Sequence, residues 1–202
     1  VSTRTENLTV GDFTDYDTVL AFGQTVEVIT IEIEHVNVEA LEALEKMGKT
    51  VNPSSRVLRI IQDKGLQKQF YVDNDLPTSS FRLIAGPDEI IDFPIVQKAR
   101  TGGYDGKGVQ VLRSESDRAQ AFPGPTVLED LVDIDLEVGV IVARNAAGEV
   151  RVFPPVDMEF CPDLNLVKYV ICPSVIDEKL NNKCVQLAEG VAQKLELVGI
   201  LA

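Results

Sequence analysis

Residues 98–108, KARTGGYDGKG, combine residue types that can hold a phosphate group. Glycines at positions 102, 103, 106 and 108 allow positive φ and leave backbone N–H groups uncovered by Cβ atoms. Lys107 lies inside this glycine-rich loop, and Lys98 lies on the apolar run that leads into it. Such a loop can wrap a phosphate while the lysines supply charge. The alternative is a mobile hairpin with Tyr104 and Asp105 as turn residues, since the spacing matches neither GxxxxGKS/T nor GxGxxG.

A second candidate is the acidic segment VLEDLV, residues 127–132, together with Glu137. An acid beside apolar segments can accept hydrogen bonds from ribose hydroxyls or an adenine amine. For this segment alone, a solvated turn is the commoner explanation. Asp157 and Glu159 could form a carboxylate pair for a metal or for acid–base chemistry, but isolated acids of this kind more often lie on the surface.

His35 is the only histidine and has no serine or cysteine partner in a recognisable arrangement. It follows a predicted strand together with Glu34, at the place where α/β folds put ligand contacts. Of the two, Glu34 is the better candidate for touching a ligand. The three cysteines are far apart and form no CxxC pair. This usage predicts a reduced, cytoplasmic protein without a structural zinc site.

The composition excludes several classes of protein. The formal net charge of −13 over 202 residues argues against a nucleic-acid partner. No apolar run approaches the roughly 20 residues that cross a bilayer, so no membrane partner is expected. The N-terminal residues VSTRTENLTVGDF lack the basic-then-apolar pattern of a secretion signal.

The elements that must position these residues change in kind along the chain. Residues 26–34 alternate as a strand, and Asn37 starts a helix that stops at Gly48. TVNPSS returns through a short strand into a loop. Asp63 caps a further helix, with Leu66 and Phe70 facing inward, that closes before Pro77. This alternation predicts an α/β layer with parallel strands.

After Pro77 the pattern becomes a series of short β-like segments. The segment around NAAG, residues 145–148, predicts a hairpin. A helix is predicted over 177–195, with an apolar stripe comprising Leu180, Cys184, Leu187, Ala188, Val191 and Leu195. The chain then enters the apolar run VGILA and stops. We therefore expect the chain to be an excerpt that lacks at least a C-terminal piece.

Six segments carry a family resemblance: VITIEIEHVN (28–37), QDKGLQKQF (62–70), LPT (76–78), KARTGGYDGKG (98–108), LEDLVDIDLEVGVIVAR (128–144) and VFPPVDMEF (152–160). In this order they resemble N5-carboxyaminoimidazole ribonucleotide synthase, the ATPase subunit of bacterial purine carboxylation and a member of the ATP-grasp superfamily. The resemblance spans nearly the whole chain, and RTGGYDGKG is its most specific part.

The resemblance implies an α/β and α+β protein, with an ATP-grasp fold that follows a Rossmann-like pre-ATP-grasp domain and is incomplete at both ends. Residues 1–76 would be the C-terminal part of the pre-ATP-grasp domain. Residues 77–129 would form the small ATP-grasp lobe with the glycine-rich lid, and 130–202 would begin the large lobe.

The activity implied by the resemblance is carboxylation of 5-aminoimidazole ribonucleotide with bicarbonate, driven by ATP, in purine biosynthesis. Bicarbonate would attack the γ-phosphate to give carboxyphosphate, which delivers CO2 to the exocyclic amine. Phosphoryl transfer of this kind needs cations and Mg²⁺ around the phosphates and needs water excluded. The family is usually a homodimer.

The resemblance also implies roles for individual residues. Lys64 would occupy a cationic position, and Lys98 would reach the α and β phosphates. The lid would be catalytic through Tyr104 and Lys107, which would also face the ribonucleotide along with Glu34. The remaining ATP contacts would be Gly103, Asp105, Gly106, Gly108, Val109, the hinge residues Glu129, Asp130, Leu131 and Val132, the ribose-binding Glu137, and Phe160.

Three departures from the family pattern limit these expectations. The glycine-rich opening of the first domain, of the GGGQLG type, is absent. The family's metal-binding glutamates and its Asn-Glu-x-x-x-Arg segment follow the point where this chain stops, so Mg²⁺ ligands are expected beyond Ala202 and none within it. Phe160 stands where the family often has histidine. We therefore expect residues 1–202 alone to be inactive.

Three rival functions remain open from the sequence. Two are other ATP-grasp ligases, a formate-dependent glycinamide ribonucleotide transformylase or a biotin carboxylase, against which the YDGKG ending and the EIEHV strand argue. The third is a nucleotide-binding protein that keeps the lid and has lost the chemistry, an alternative that Phe160 keeps open.

Overall fold

The computed structural model describes residues 7–103, 108–161 and 166–202. It divides into two compact units, the first ending at Arg59 and the second beginning at Ile60. The described helices are α1 Tyr16–Gln24, α2 Val38–Lys46, α3 Ser55–Gln62, α4 Lys64–Asp73 and α5 Glu178–Lys194. The described strands are β1 Val28–Thr30, β2 Thr50–Asn52, β3 Phe81–Ile84, β4 Ile95–Ala99, β5 Val109–Leu112, β6 Thr126–Asp130, β7 Val138–Gly139, β8 Val142–Arg144, β9 Val150–Val152, β10 Val156–Cys161, β11 Leu166–Ile171 and β12 Gly199–Leu201. Within these ranges, no helix is both long and apolar enough to cross a membrane.

The first unit is built on β1 and β2, which pair in parallel as the sequence predicts. α2 begins at Asn37, whose Oδ1 accepts a 2.9 Å hydrogen bond from the Ala40 N–H. It ends before Gly48, whose φ of +86° suits a residue without a Cβ atom. Both predicted ends of this helix are confirmed. The core of the unit comprises Ile29, Val36, Val38, Leu41, Leu44, Val51 and Leu58.

The strand predicted over residues 26–34 is wrong beyond Thr30, where β1 ends. The chain turns immediately afterwards, and Ile33 is 47% exposed instead of buried. The reason lies in the neighbouring strand. β2 stops at Asn52 because Pro53 follows it and has no N–H to continue the ladder.

Two helices of this region are not foreseen by the sequence. α1 is capped by Asp15, whose carboxylate accepts a 2.8 Å hydrogen bond from the Thr18 N–H. α3 begins at Ser55, a residue predicted to lie in a loop. Ser55 donates its N–H and its hydroxyl to the carboxylate of Glu45 on α2. This helix start is thus stabilised by a side chain from another helix, which local sequence patterns do not reveal.

The second unit contains an antiparallel sheet of four strands in the order β3-β6-β4-β5. One face of this sheet is packed as a hydrophobic core, formed by Ile84, Ile95, Leu112 and Leu128 with Ile90 packed on them. The buried Gln97 lies on the same face and is satisfied by hydrogen bonds from its Nε2 to Thr126 and to the Phe122 carbonyl. The predicted site residues Lys98 and Glu129 lie on the opposite face.

The other two sheets of this unit are β7-β10-β11 and β9-β8-β12, both antiparallel. β8 and β9 form the predicted hairpin around residues 145–148, which is confirmed. α5 also has its predicted limits, with Asp177 accepting a 2.7 Å hydrogen bond from the Leu180 N–H. Its predicted apolar stripe is confirmed only in part: Leu195 is buried and Cys184, Ala188 and Val191 are half-buried, whereas Leu180 and Leu187 are exposed.

Candidate nucleotide-binding site

The face of the four-stranded sheet opposite its core, which we call the open face, carries two charged residues among apolar ones; Val127 and Glu129 at its centre are buried, whereas its outer strands are partly exposed. The pairing register puts Lys98 beside Val127 and puts Glu129 beside Val96, so all four side chains share one face. The outer strands add Phe81, Leu83, Val109 and Val111 to that face. Leu83 and Val111 are about two-fifths exposed. A flat apolar surface with a lysine and an acid suits a ring system that carries an anionic group.

Glu129 is the centre of a charged cluster on this face, which we call the Lys68–Glu129–Lys98 cluster. The Lys98 Nζ lies 3.0 Å from Oε1, and the Lys68 Nζ lies 3.0 Å from Oε2. The Ser79 hydroxyl donates a 2.7 Å hydrogen bond to Oε2. The side chains of Glu129 and Lys68 are 9% and 11% exposed, whereas that of Lys98 is 28% exposed. One carboxylate therefore lies between two ammonium groups, and the cluster carries a surplus positive charge.

Lys68 reaches the cluster from α4, which sequence analysis did not foresee. Its Nζ also donates to the Thr78 hydroxyl at 2.7 Å and to the Ser79 hydroxyl at 2.8 Å. Gly65 and Lys68 lie on the buried side of α4, and the predicted inward position of Leu66 is wrong, since it is 42% exposed. A buried lysine needs a carboxylate partner, and that partner is 61 positions away in the chain, so no local pattern could find it.

The environment of Glu129 keeps its carboxylate ionised. Burial alone would raise the pKa of this group, but hydrogen bonds from Ser79, Lys98 and Lys68 outweigh burial and lower the pKa below its ordinary value of 4.5. In the folded protein the cluster therefore remains an ion cluster even in moderately acidic solution.

This lowered pKa predicts how stability depends on pH. The contribution of Glu129 should be fully present above pH 4.5, the ordinary value, and should be lost as pH falls below it through the folded-state pKa. The measurement is urea unfolding of the native protein and of Glu129→Gln at several pH values between about 6 and 3. The difference between the two unfolding free energies should shrink with acid. A difference that stays constant over this range contradicts the assignment.

A second ion pair fixes the entrance to the glycine-rich loop. Arg100 donates from Nε to Asp63 Oδ1 at 2.9 Å and from Nη2 to Oδ2 at 2.7 Å. The Lys64 N–H donates to the Arg100 carbonyl at 2.9 Å. Asp63 also caps α4 as predicted, accepting hydrogen bonds from the N–H groups of Gly65 and Leu66. The start of α4 is thus fastened to the strand end from which the loop departs, and the Arg100 charge is directed to Asp63.

Gly65 gives room for this ion pair, since a Cβ atom there would lie 2.8 Å from the Arg100 Nε. We expect Gly65→Ala to displace the guanidinium and to leave stability nearly unchanged, because the loss of an ion pair worth up to about 1 kcal/mol offsets a gain in helix propensity of the same size. Gly190→Ala in α5 is the matched control. Its Cβ would contact Leu76 Cδ2 at an ordinary 3.6 Å, so it should stabilise by about 0.5–1 kcal/mol. Thermal unfolding of both variants measures this, and equal shifts would contradict the role of Gly65.

The two ends of the glycine-rich loop meet closely. The Ala99 N–H donates to the Gly108 carbonyl at 2.8 Å. Gly108 has a φ of +82°, and a Cβ atom there would lie 3.0 Å from the Gly103 Cα, so both its conformation and its surroundings require glycine. Val109 follows as the first residue of β5. Tyr104, Asp105, Gly106 and Lys107, which carry the predicted lid functions, lie outside the described residues.

The predicted adenine hinge follows β6 directly. Asp130 ends this strand, and Leu131 and Val132 are exposed, Val132 by 55%. Both carboxylate oxygens of Glu129 face the cluster, so a contact from Glu129 to adenine is simpler through its backbone than through its side chain. Glu137 is exposed at the start of β7, and its carbonyl accepts a 2.9 Å hydrogen bond from the Met158 N–H.

The remaining predicted site residues lie elsewhere. Phe160 is on β10, opposite Val167, where the register of β10 and β11 shifts by one residue. Glu34 lies in the first unit, with its Oε1 4.0 Å from His35 Nδ1. Asp157 accepts hydrogen bonds from the Ser174 hydroxyl and the Val175 N–H, which gives it a structural role. The ligand contacts assigned to Phe160 and Glu34 stay predictions.

Two domain families match the chain. The ATP-grasp domain matches residues 69–202, and the ribonucleotide synthetase preATP-grasp domain matches residues 2–62. The chain therefore belongs to the ATP-grasp family, which agrees with the open sheet face and the glycine-rich loop described above. The predicted fold class, a mixed α/β ATP-grasp fold with a preATP-grasp domain, is confirmed. The predicted division at residues 76 and 129 stays a prediction.

Individual relatives are more specific. The chain is 34% identical over 179 residues to N5-carboxyaminoimidazole ribonucleotide synthase from Synechocystis, an alignment that covers 87% of this chain and 46% of that protein. The crystal structure of N5-carboxyaminoimidazole ribonucleotide synthetase from Thermotoga maritima matches with a TM-score of 0.82 and 34% identity, covering 94% of this chain and 50% of the other. The enzyme from Aspergillus clavatus complexed with ATP matches with a TM-score of 0.86 and 27% identity, covering 98% and 54%. The resemblance drawn from the sequence is confirmed, and the chain spans about half the length of the curated relatives it matches.

Proposed function

We propose that this chain is part of an ATP-dependent carbon–nitrogen ligase that carboxylates 5-aminoimidazole ribonucleotide with bicarbonate. The reaction would yield N5-carboxyaminoimidazole ribonucleotide, ADP and phosphate in purine biosynthesis. The observation that carries the proposal is Lys98, a lysine from a positively charged cluster on the open sheet face at the root of the loop RTGGYDGKG. The names of the relatives support the choice of substrate.

The site residues fit an adenine nucleotide. The apolar open face gives a surface for the base, and the backbone groups of Leu131 and Val132, two exposed residues after β6, would form hydrogen bonds to its edge. Glu137 would accept hydrogen bonds from the ribose. Lys98 would bind the α and β phosphates through charge-assisted hydrogen bonds. Lys107 and Tyr104 would close over the γ-phosphate and the ribonucleotide.

The chemistry then follows from position and charge. Bicarbonate attacks the γ-phosphorus, the bond to the bridging oxygen of ADP breaks, and carboxyphosphate forms. Closure of the loop would exclude water while carboxyphosphate releases phosphate and CO2. The exocyclic amine of the ribonucleotide attacks that CO2 and loses a proton. The protein contributes positioning and positive charge, which is what phosphoryl transfer chiefly requires.

Mg²⁺ belongs to this proposal, but the described residues do not fit it. When bound, the ion would neutralise charge on the β and γ phosphates. Within residues 7–103, 108–161 and 166–202, no group of three His, Cys, Asp or Glu side chains could hold a metal. Glu129, the acid on the phosphate-binding face, is paired with two lysines. Ligands beyond Ala202 stay the expectation, and no step here depends on them.

We also propose a cytoplasmic location and a homodimeric assembly. The described structure has Cys161, Cys172 and Cys184 as free thiols, which suits a reducing compartment. The dimer rests on the family resemblance. Sedimentation or light scattering of the native protein should give twice the protomer mass, and a protomer mass at micromolar concentration contradicts it.

The decisive experiment is phosphate release from ATP. Because the relatives are about twice as long, the protein is assayed as its gene encodes it, and residues 1–202 are assayed in parallel. With bicarbonate present, 5-aminoimidazole ribonucleotide should stimulate release, whereas glycinamide ribonucleotide and biotin should not. Stimulation by either of those instead favours the corresponding rival ligase. Turnover by residues 1–202 at the full rate would refute the expectation that they are inactive alone.

A second function is favoured by one observation, the phenylalanine at position 160. By resemblance this position often holds a histidine that contacts the nucleotide, and phenylalanine cannot donate a hydrogen bond. A nucleotide-binding protein without turnover would then bind ATP and release no phosphate under any condition of the same assay.

A further inference from the structure

Lys68 has no assigned role, yet it is a buried cation beside the phosphate-binding lysine. All three hydrogen-bond donors of its ammonium group have partners: the Thr78 hydroxyl at 2.7 Å, the Ser79 hydroxyl at 2.8 Å and Glu129 Oε2 at 3.0 Å. Its side chain is 11% exposed, so it cannot itself offer charge to a ligand in solution. Whatever it does for binding must act through Glu129.

Lys98 differs from Lys68 in both exposure and number of partners. Its side chain is 28% exposed, and within the described part of the chain Glu129 Oε1, at 3.0 Å, is the group it pairs with. Two of its three donors are therefore open to a ligand as far as the described residues go. The two lysines contact different oxygens of the same carboxylate, so they share its one negative charge.

We propose that Lys68 is a positioning residue for ATP: by neutralising Glu129 from the buried side, it leaves the charge of Lys98 available to the phosphates. The inference rests on the proposed function, because it assumes that Lys98 binds the phosphates. With Lys68 present, the three groups together carry one net positive charge, and the exposed lysine presents it. Without Lys68, Glu129 pairs with Lys98 alone, and the cluster becomes neutral.

The geometry makes this coupling strong. Opposite charges attract in inverse proportion to their separation and to the local dielectric constant. Both lysines contact the Glu129 carboxylate at 3.0 Å, and that side chain is only 9% exposed. Ser79 also donates to Glu129 Oε2 and accepts from Lys68, so the carboxylate is held in one orientation. Glu129 is thereby a fixed acceptor that sets the position of the Lys98 ammonium group.

The test compares ATP with adenosine, which lacks phosphates, in the native protein and in two variants. Lys68→Met should weaken ATP binding about tenfold and leave adenosine binding unchanged, since a tenfold change corresponds to about 1.4 kcal/mol and a single charge-assisted contact is of that size. The double variant Lys68→Met/Glu129→Gln should regain ATP affinity to within about threefold of the native protein, because Lys98 no longer has an acid to neutralise it. Calorimetric titration gives both dissociation constants.

A purely structural role predicts a different pattern. Loss of packing would weaken ATP and adenosine alike, and the second substitution would worsen it, since it takes the site further from its native state. If Lys68→Met does not fold, the double variant decides alone, because removing both charges together leaves no buried ion without a partner. Near-native ATP affinity in that variant supports the proposal, and a tenfold loss overturns it.

The failure of this inference is distinguishable from failure of the proposed function. If the native protein binds no ATP, the proposed function itself is wrong, and the inference falls with it. If the native protein binds ATP and Lys98→Met weakens that binding while Lys68→Met does not, only the role of Lys68 is wrong.

Discussion

Replacing Glu129 with alanine is expected to lower the free energy of unfolding by about 3–5 kcal/mol, the size found when one partner of a buried ion pair is removed. The change leaves Lys68 buried with an uncompensated charge and turns two ammonium groups toward each other. It also removes the acceptor of the Ser79 hydroxyl. Urea unfolding followed by circular dichroism measures the loss.

The control for this variant is Glu115→Ala. Glu115 also pairs with a cation, Arg118, through two hydrogen bonds, but its side chain is 71% exposed. An exposed pair within one turn contributes little to stability, because water screens it. The two variants thus remove the same chemical group from opposite environments. A loss at Glu129 no greater than that at Glu115 would show that the cluster is not effectively buried.

The elements that the sequence predicts correctly are those whose cause lies within one short stretch of the chain. Asn37 caps the start of α2 by accepting a hydrogen bond from a nearby N–H group, and Gly48 follows its end with a positive φ. Asp177 caps the start of α5 in the same way as Asn37. The phosphate-binding role of the glycine-rich loop stays a prediction, and it rests likewise on residue types within eleven consecutive positions. Lys98 and Glu129 were both predicted as site residues, and the structure brings them to 3.0 Å of each other.

The predictions that are wrong or missing share another cause: the residue that determines the local structure lies far away in the chain. The first residue of α3 donates a hydrogen bond to Glu45 of a different helix. The ion pair between Lys68 and Glu129 determines which side of α4 is buried. An apolar period alone points Leu66 inward, whereas the structure buries a lysine and exposes the leucine. Propensity and period carry no information on such pairings, so these residues could be found only from the folded arrangement.

Lys98→Met is expected to weaken ATP binding by about 10- to 150-fold, which corresponds to the roughly 1.5–3 kcal/mol of hydrogen bonds to charged groups. Methionine keeps an unbranched apolar side chain and removes the ammonium group. The fold should survive, because Glu129 retains Lys68 and Ser79 as partners and the buried charges remain balanced. Adenosine binding should change little, since the lost group addresses the phosphates.

The comparison with Lys179→Met separates a local effect from a change in overall charge. Lys179 is exposed on α5 in the same unit, so its replacement alters the net charge by the same amount. Long-range attraction between exposed charges falls off over a Debye length of about 8 Å at physiological salt, and its loss should change ATP affinity less than twofold. If both variants weaken ATP binding equally, Lys98 does not contact the phosphates. If only Lys98→Met weakens ATP binding and the effect persists at high salt, the lysine at the root of the glycine-rich loop binds the phosphates directly. The reason is that salt screens a close and partly buried contact much less than a distant one.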